Sequence, residues 1–179
     1  MATETKTKSK AVKAPVVEEM ADEVKKPIVA KEIDLNQMIP VRSGFHGRLI
    51  YKSSRTQERF VWSEFGEEQI MELLELRNAK NASKKYFINN WFMFDDEYSW
   101  VIDYLGMNQY YKNALSLDNF DDLFSKTPSE IEKIISKLSN GQKKSVGYRA
   151  RQLIVDGDID SNKAIQALEK ALGIELIER

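Results

Sequence analysis

The chain contains no cysteine, which removes disulfides, thiolate nucleophiles and cysteine-ligated zinc or iron–sulfur centres from consideration. It has a single histidine, His46, so a metal site built from several imidazoles is excluded as well. No apolar run approaches the roughly 20 residues that span a bilayer, and Met1 to Lys10 is polar, without the apolar centre of a leader peptide. An excess of one charge is missing too: 27 basic side chains face 28 acidic ones, for a net charge of -1. Attraction to nucleic acid or to an anionic surface would therefore have to come from a local patch. These absences suit a soluble, non-secreted protein with no membrane partner. What is present, 179 residues of which 42% are hydrophobic, suffices for one domain of ordinary size with its own core.

The aromatics concentrate between Trp62 and Leu105, a stretch that holds every tryptophan of the chain. Residues 1–32, by contrast, have neither an aromatic nor a glycine; their tip is basic (Lys6, Lys8, Lys10, Lys13) and their middle acidic (Glu18, Glu19, Asp22, Glu23). Such a segment buries too little apolar surface to offset an ordering cost of about 1–2 kcal/mol per residue, and is expected to be an extended charged arm. A strand is expected near Ile33 to Val41, with Pro40 placing it at an edge, and a hairpin over Arg48–Lys52 and Glu58–Trp62, giving a three-stranded meander. Ile70, Leu73 and Leu74 at helical spacing, with an acidic start and a basic end, predict a helix over Glu67–Lys80. Short helices follow over Lys84–Asn90, with Ser83 as cap, then Tyr98–Leu105 and Asn108–Leu115. Thr127-Pro128-Ser129-Glu130 carries a capping box with proline at the first helical position, and Asn140-Gly141 is read as the stop of the helix that it opens. Helices near Gln142–Val155 and Ser161–Leu172 complete a three-helix unit. The expected class is α+β, mainly helical, a small antiparallel β meander on a helical body with an extended N-terminal arm: residues 1–32 form the arm, and 33–126 and the three-helix unit 127–179 are read as parts of the same domain.

Candidate sites are few. Asp156, Asp158 and Asp160 alternate like the first ligands of a calcium loop, but Ser161 stands where that loop needs glycine and Ala167 where it needs a bidentate glutamate. A helix stop and cap is the better reading. Asp95, Asp96, Glu97 and Asp103 sit among tryptophans, yet no partner nucleophile, base or phosphate loop accompanies them, so they read as turn and cap residues; no catalytic residue, metal or cofactor is expected. His46, flanked by Gly44 and Gly47, reads as a loop residue. The one possible nucleic-acid contact set is Lys143, Lys144, Tyr148, Arg149 and Arg151, of which Lys144, Tyr148 and Arg151 share a helix face; pairing with Glu130, Glu132 or Asp156 is the plainer account. Trp91, Phe92 and Tyr110-Tyr111 would serve as interface anchors wherever they are exposed.

Leu49-Ile50-Tyr51-Lys52-Ser53 with Phe60-Val61-Trp62 and Phe65-Gly66, then Asn90-Trp91-Phe92, then Gln142-Lys143-Lys144-Ser145 with Tyr148-Arg149-Ala150-Arg151, together resemble small proteins from the structural-gene region of tailed bacteriophages, over about residues 35 to 178. The resemblance implies a non-enzymatic virion or assembly protein in head, neck or tail. Its partners would be other virion structural proteins in a multi-copy assembly, in the virion and, during assembly, the host cytoplasm. A nucleic-acid-binding regulatory or packaging factor is the alternative.

Overall fold

In a computed structural model that describes residues 33–177, the chain begins with strand β1 (Met38–Ser43), β2 (Leu49–Lys52), β3 (Arg59–Trp62) and β4 (Glu68–Glu72). Helix α1 (Leu73–Ala82), the single turn α2 (Lys85–Ile88) and the two-residue strand β5 (Phe92–Met93) follow. Helices α3 (Trp100–Leu105), α4 (Asn108–Tyr111), α5 (Pro128–Lys137), α6 (Asn140–Asp156) and α7 (Asn162–Leu172) complete the described residues, with 3₁₀ turns at Asp96–Tyr98 and Asp121–Ser125. The class is α+β, mainly helical, with small antiparallel sheets. The arm expected over residues 1–32 lies outside the described residues.

Strand pairing departs from a simple meander. The hairpin β2–β3 forms in register Leu49↔Trp62 to Lys52↔Arg59, but β1 pairs with β4 and β5 instead of with β2, in the order β4-β1-β5. The expected helix over Glu67–Lys80 therefore starts later, because Glu68–Glu72 is extended along β1. Ile70, which looked like part of a helical stripe, is half exposed on the strand, whereas its neighbour Met71 is buried. Pro40 sits on a central strand, not an edge. Ser43 N donates to Glu67 O and Leu73 N to Gln37 O, so alternation turns the Pro40 nitrogen away from β4, toward a flank where β5 pairs only with Arg42 and Ser43.

Trp62, Phe87 and Phe92 are fully buried at the centre of the first hydrophobic cluster, and Trp62 Nε1 donates to Val41 O at 2.9 Å, fastening the hairpin to β1. Full burial of a large apolar side chain contributes about 1.5–3 kcal/mol, so these rings carry much of the local stability. A second cluster gathers Phe120, Leu123 and the inner faces of α5, α6 and α7. The capping box is formed: Thr127 Oγ1 accepts from Glu130 N, and the Glu130 carboxylate accepts from Thr127 N. Two expected boundaries move. Ser83 closes α1, donating its amide to Ala79 O, and does not cap α2. Asn140-Gly141 opens α6 rather than ending α5, because Ser139 Oγ accepts from Gln142 N as its cap.

Close backbone approaches hold α6 to the sheet. A Cβ on Gly141 would overlap the Asn89 carbonyl oxygen, and one on Gly44 the Asn90 carbonyl oxygen. Only glycine allows this corner to sit between the end of β1 and the start of α6. Ser145 Oγ then donates to Gly44 O at 2.9 Å, and the Gln142 amide bonds both Leu115 N and Leu115 O.

Candidate functional site

Helix α6 distributes the predicted contact residues over two faces. At 3.6 residues per turn, Lys144, Tyr148, Arg151 and Val155 fall on one stripe, with Arg149 roughly 140° around the helix from Lys144. All four stripe residues are exposed, Tyr148 at 57% and Val155 at 85%, whereas the opposite face, Val146, Ala150 and Leu153, is buried. Ile174, 40% exposed, flanks the stripe, since its Cδ1 lies against Gly147. Arg151 Nη2 donates to Glu175 O at 2.8 Å, which fixes the guanidinium beside Tyr148 without neutralising it. Lys143, half-buried, lies off the stripe.

Arg149 belongs to a different place. Its Nε and Nη2 donate to the Asp121 carboxylate at 3.0 and 2.5 Å, and Nη1 donates to Gln152 Oε1 at 2.8 Å. The partner expected for these cations was Glu130, Glu132 or Asp156; Asp121 holds Arg149 instead, and Glu132 pairs with Lys170. The side chain forms one wall of a cleft of about 560 Å³ that also takes in Glu64, Phe65 and Asp118. His46 lies in its floor, stacked on Phe65 with ring centroids 4.2 Å apart, and its Nε2 is buried without a hydrogen-bond partner among the described residues. Burial, helped by the Arg149 charge and opposed by Asp121, lowers the His46 imidazole below its usual range, so the ring is neutral near pH 7. This half-buried loop residue thus packs on the edge of the second hydrophobic cluster, against Phe65 and Phe120.

A buried carboxylate went unpredicted. Glu75, on the inner face of α1, accepts from Tyr51 Oη at 2.6 Å, from Asn78 Nδ2 at 3.0 Å and from Arg55 Nε at 3.2 Å. Burial alone would raise its pKa, but the donors, Tyr51 foremost, outweigh it and hold the carboxyl below its ordinary value. Arg55 also bonds Glu72, and burial together with Glu75 pushes the Tyr51 hydroxyl upward. The set ties the hairpin to α1 and presents no nucleophile. Asp95 pairs with Arg42 at 3.0 Å and leads into a 3₁₀ turn, while Phe92 is buried in the first cluster and so is no interface anchor. Trp91, Tyr110 and Tyr111 are half-buried.

Among the described residues no group of three or more His, Asp or Glu is placed to hold a metal ion, and no helix is long and apolar enough to cross a membrane. No family model matches the chain, and neither a curated protein nor a solved structure matches it.

Proposed function

We propose that the chain is a non-enzymatic structural or assembly protein of a tailed-bacteriophage particle, a component of head, neck or tail that binds neighbouring virion proteins through its folded body and the segment preceding Ile33. The observation that supports this reading is the α6 stripe, where Val155, Tyr148 and Ile174 leave apolar surface exposed between cations. Isolated exposed apolar residues are ordinary, but an aromatic and two aliphatics grouped on one face suit a protein contact. The reading is tested by deleting residues 1–32 and, separately, by Val155→Glu. The body should keep its circular dichroism and melting temperature in both while incorporation into particles is lost; full incorporation of both variants would overturn it.

A second reading, a nucleic-acid-binding regulatory or packaging factor, draws on one feature of the same face: Lys144 and Arg151 bracket Tyr148, and Arg151 is bonded to a carbonyl, not to a carboxylate. Phosphate binding there would give an affinity that falls steeply with salt, and Arg151→Ala would reduce the slope by about one. Arg149, engaged by Asp121, adds nothing to that patch.

A further inference from the structure

Among the described residues, five of the eight large apolar side chains left exposed fall into two groups. Tyr148, Val155 and Ile174 form the first, on the α6 stripe with Lys144 and Arg151. Met38 and Ile70 form the second, on the outer face of the β1–β4 pair. The register sets Met38 opposite Glu72, Pro40 opposite Ile70 and Arg42 opposite Glu68, while the alternate residues Ile39, Val41 and Met71 are buried on the other side. A groove of about 320 Å³ opens between this face and the β2–β3 turn, with Met38, Ile70 and Phe60 as its apolar lining and Glu58 and Glu72 among its polar residues. The two surfaces carry opposite charge. Arg42 is engaged by Asp95 and Asp118, and Arg55 by Glu72 and Glu75, whereas Glu58 and Glu68 form no ion pair among the described residues, so the sheet face is acidic. Lys144 has no ion pair there either, and Arg151 is bonded to a carbonyl. Either surface packed on its own equivalent would bring like charges together. Packed on each other they match in charge and in length: Lys144 and Arg151 lie about 10 Å apart along the helix and Glu68 and Glu72 about 13 Å apart along the strand, a difference that long side chains span.

We propose that the Lys144–Tyr148–Arg151–Val155 stripe of one copy docks on the outer β1–β4 face of a second copy. The contact rests on the assembly reading above and supplies its chemistry: Tyr148, Val155 and Ile174 cover Met38, Ile70 and Phe60, while Lys144 and Arg151 meet the carboxylates of Glu58, Glu68 and Glu72. Because the two surfaces are different patches of the same body, the contact is head-to-tail and propagates or closes into a ring, as a multi-copy component requires.

The test uses the full-length chain with a photo-reactive p-benzoylphenylalanine at position 148, mixed as ¹⁴N and ¹⁵N copies, irradiated and digested with trypsin. A mixed-isotope cross-link to the peptide spanning residues 60–77 or 32–42 is expected. It should be lost when the copy carrying the photo-reactive group also carries Lys144→Glu/Arg151→Glu, and recovered, on the corresponding peptides, when the other copy carries Glu58→Lys/Glu68→Lys. All four positions are exposed, and an unchanged circular dichroism spectrum confirms that each variant is folded. A same-isotope link only, a link to another peptide or to co-purified nucleic acid, a link that ignores the charge reversals, a loss without recovery, or no link would overturn the proposal. Quantifying the chain in purified particles separates this outcome from failure of the assembly reading, since a particle component lacking the cross-link refutes this contact alone.

Discussion

Replacing Tyr51 by phenylalanine removes one oxygen atom from a buried site and leaves the ring where it packs, edge-on to Tyr86 at 5.2 Å and to Phe92 at 5.8 Å. The loss is therefore dominated by the 2.6 Å bond from Tyr51 Oη to Glu75 Oε1, beside a long 3.5 Å bond that the hydroxyl accepts from Asn78 Nδ2. A hydrogen bond to a charged group contributes about 1.5–3 kcal/mol net. Asn78 and Arg55 remain on the carboxylate, so the lower half of that range, about 2 kcal/mol, is expected at pH 7. The pH dependence follows from the lowered Glu75 pKa. A carboxyl depressed in the folded state adds stability that is fully present above its unfolded pKa, about 4.3, and is lost as pH falls through the lower folded value. Without the Tyr51 donor the folded pKa moves back upward, so the acid loss starts at higher pH. Below both values only a neutral hydrogen bond separates the proteins, and the difference shrinks to about 1 kcal/mol. Urea denaturation of both proteins over a pH series from 7 into the acid limb of the stability curve measures this. A cost below about 0.5 kcal/mol at pH 7, or a cost that stays constant through the acid loss of stability, would refute the role assigned to Glu75.

Gly141→Ala should lower the melting temperature even though alanine favours helix: the gain of about 1 kcal/mol is outweighed by overpacking against the fixed Asn89 carbonyl, at about 1–3 kcal/mol, and an unchanged melting temperature would contradict the close approach. Thr127→Ala should cost about 1 kcal/mol in chemical denaturation through loss of the α5 cap. The single imidazole should titrate by NMR with a midpoint below 6.5, and Arg149→Ala should move it upward, since it removes a repelling cation and frees Asp121. With the folded pKa lowered, the unfolded chain binds the proton more readily, so His46 reduces stability as pH falls from about 6.5 to the folded midpoint; a midpoint at or above 6.5 would contradict its burial.

The elements legible in the sequence were those governed by local chemistry. The Thr127–Glu130 box announces α5 because all its bonds lie within four residues, and Arg48–Lys52 with Glu58–Trp62 form a hairpin because both runs alternate and face each other across a short turn. Strand β4 was illegible because Ile70, Leu73 and Leu74 satisfy helical spacing, and only the ladder to β1, some thirty residues earlier, draws Glu68–Glu72 into an extended form. Asn140-Gly141 resembles a helix stop; the steric need for glycine there comes from Asn89, far off in sequence. In the candidate site, Lys144, Tyr148 and Arg151 were correctly grouped by periodicity, whereas the partner of Arg149 depends on the turn at Asp121–Ser125. Glu75 did leave a signal. It stands among Leu73, Leu76 and Ala79 on the buried side of α1, and a carboxylate in that position needs donors, which Tyr51, Asn78 and Arg55 supply.

The assembly role is tested most directly by peptide mass spectrometry of gradient-purified phage particles and of their assembly intermediates, with this chain quantified against the major capsid protein. The reading predicts a fixed stoichiometric ratio in one or both, the value of which separates a head-lattice component from a ring of a few copies at neck or tail. Absence from both fractions would contradict it.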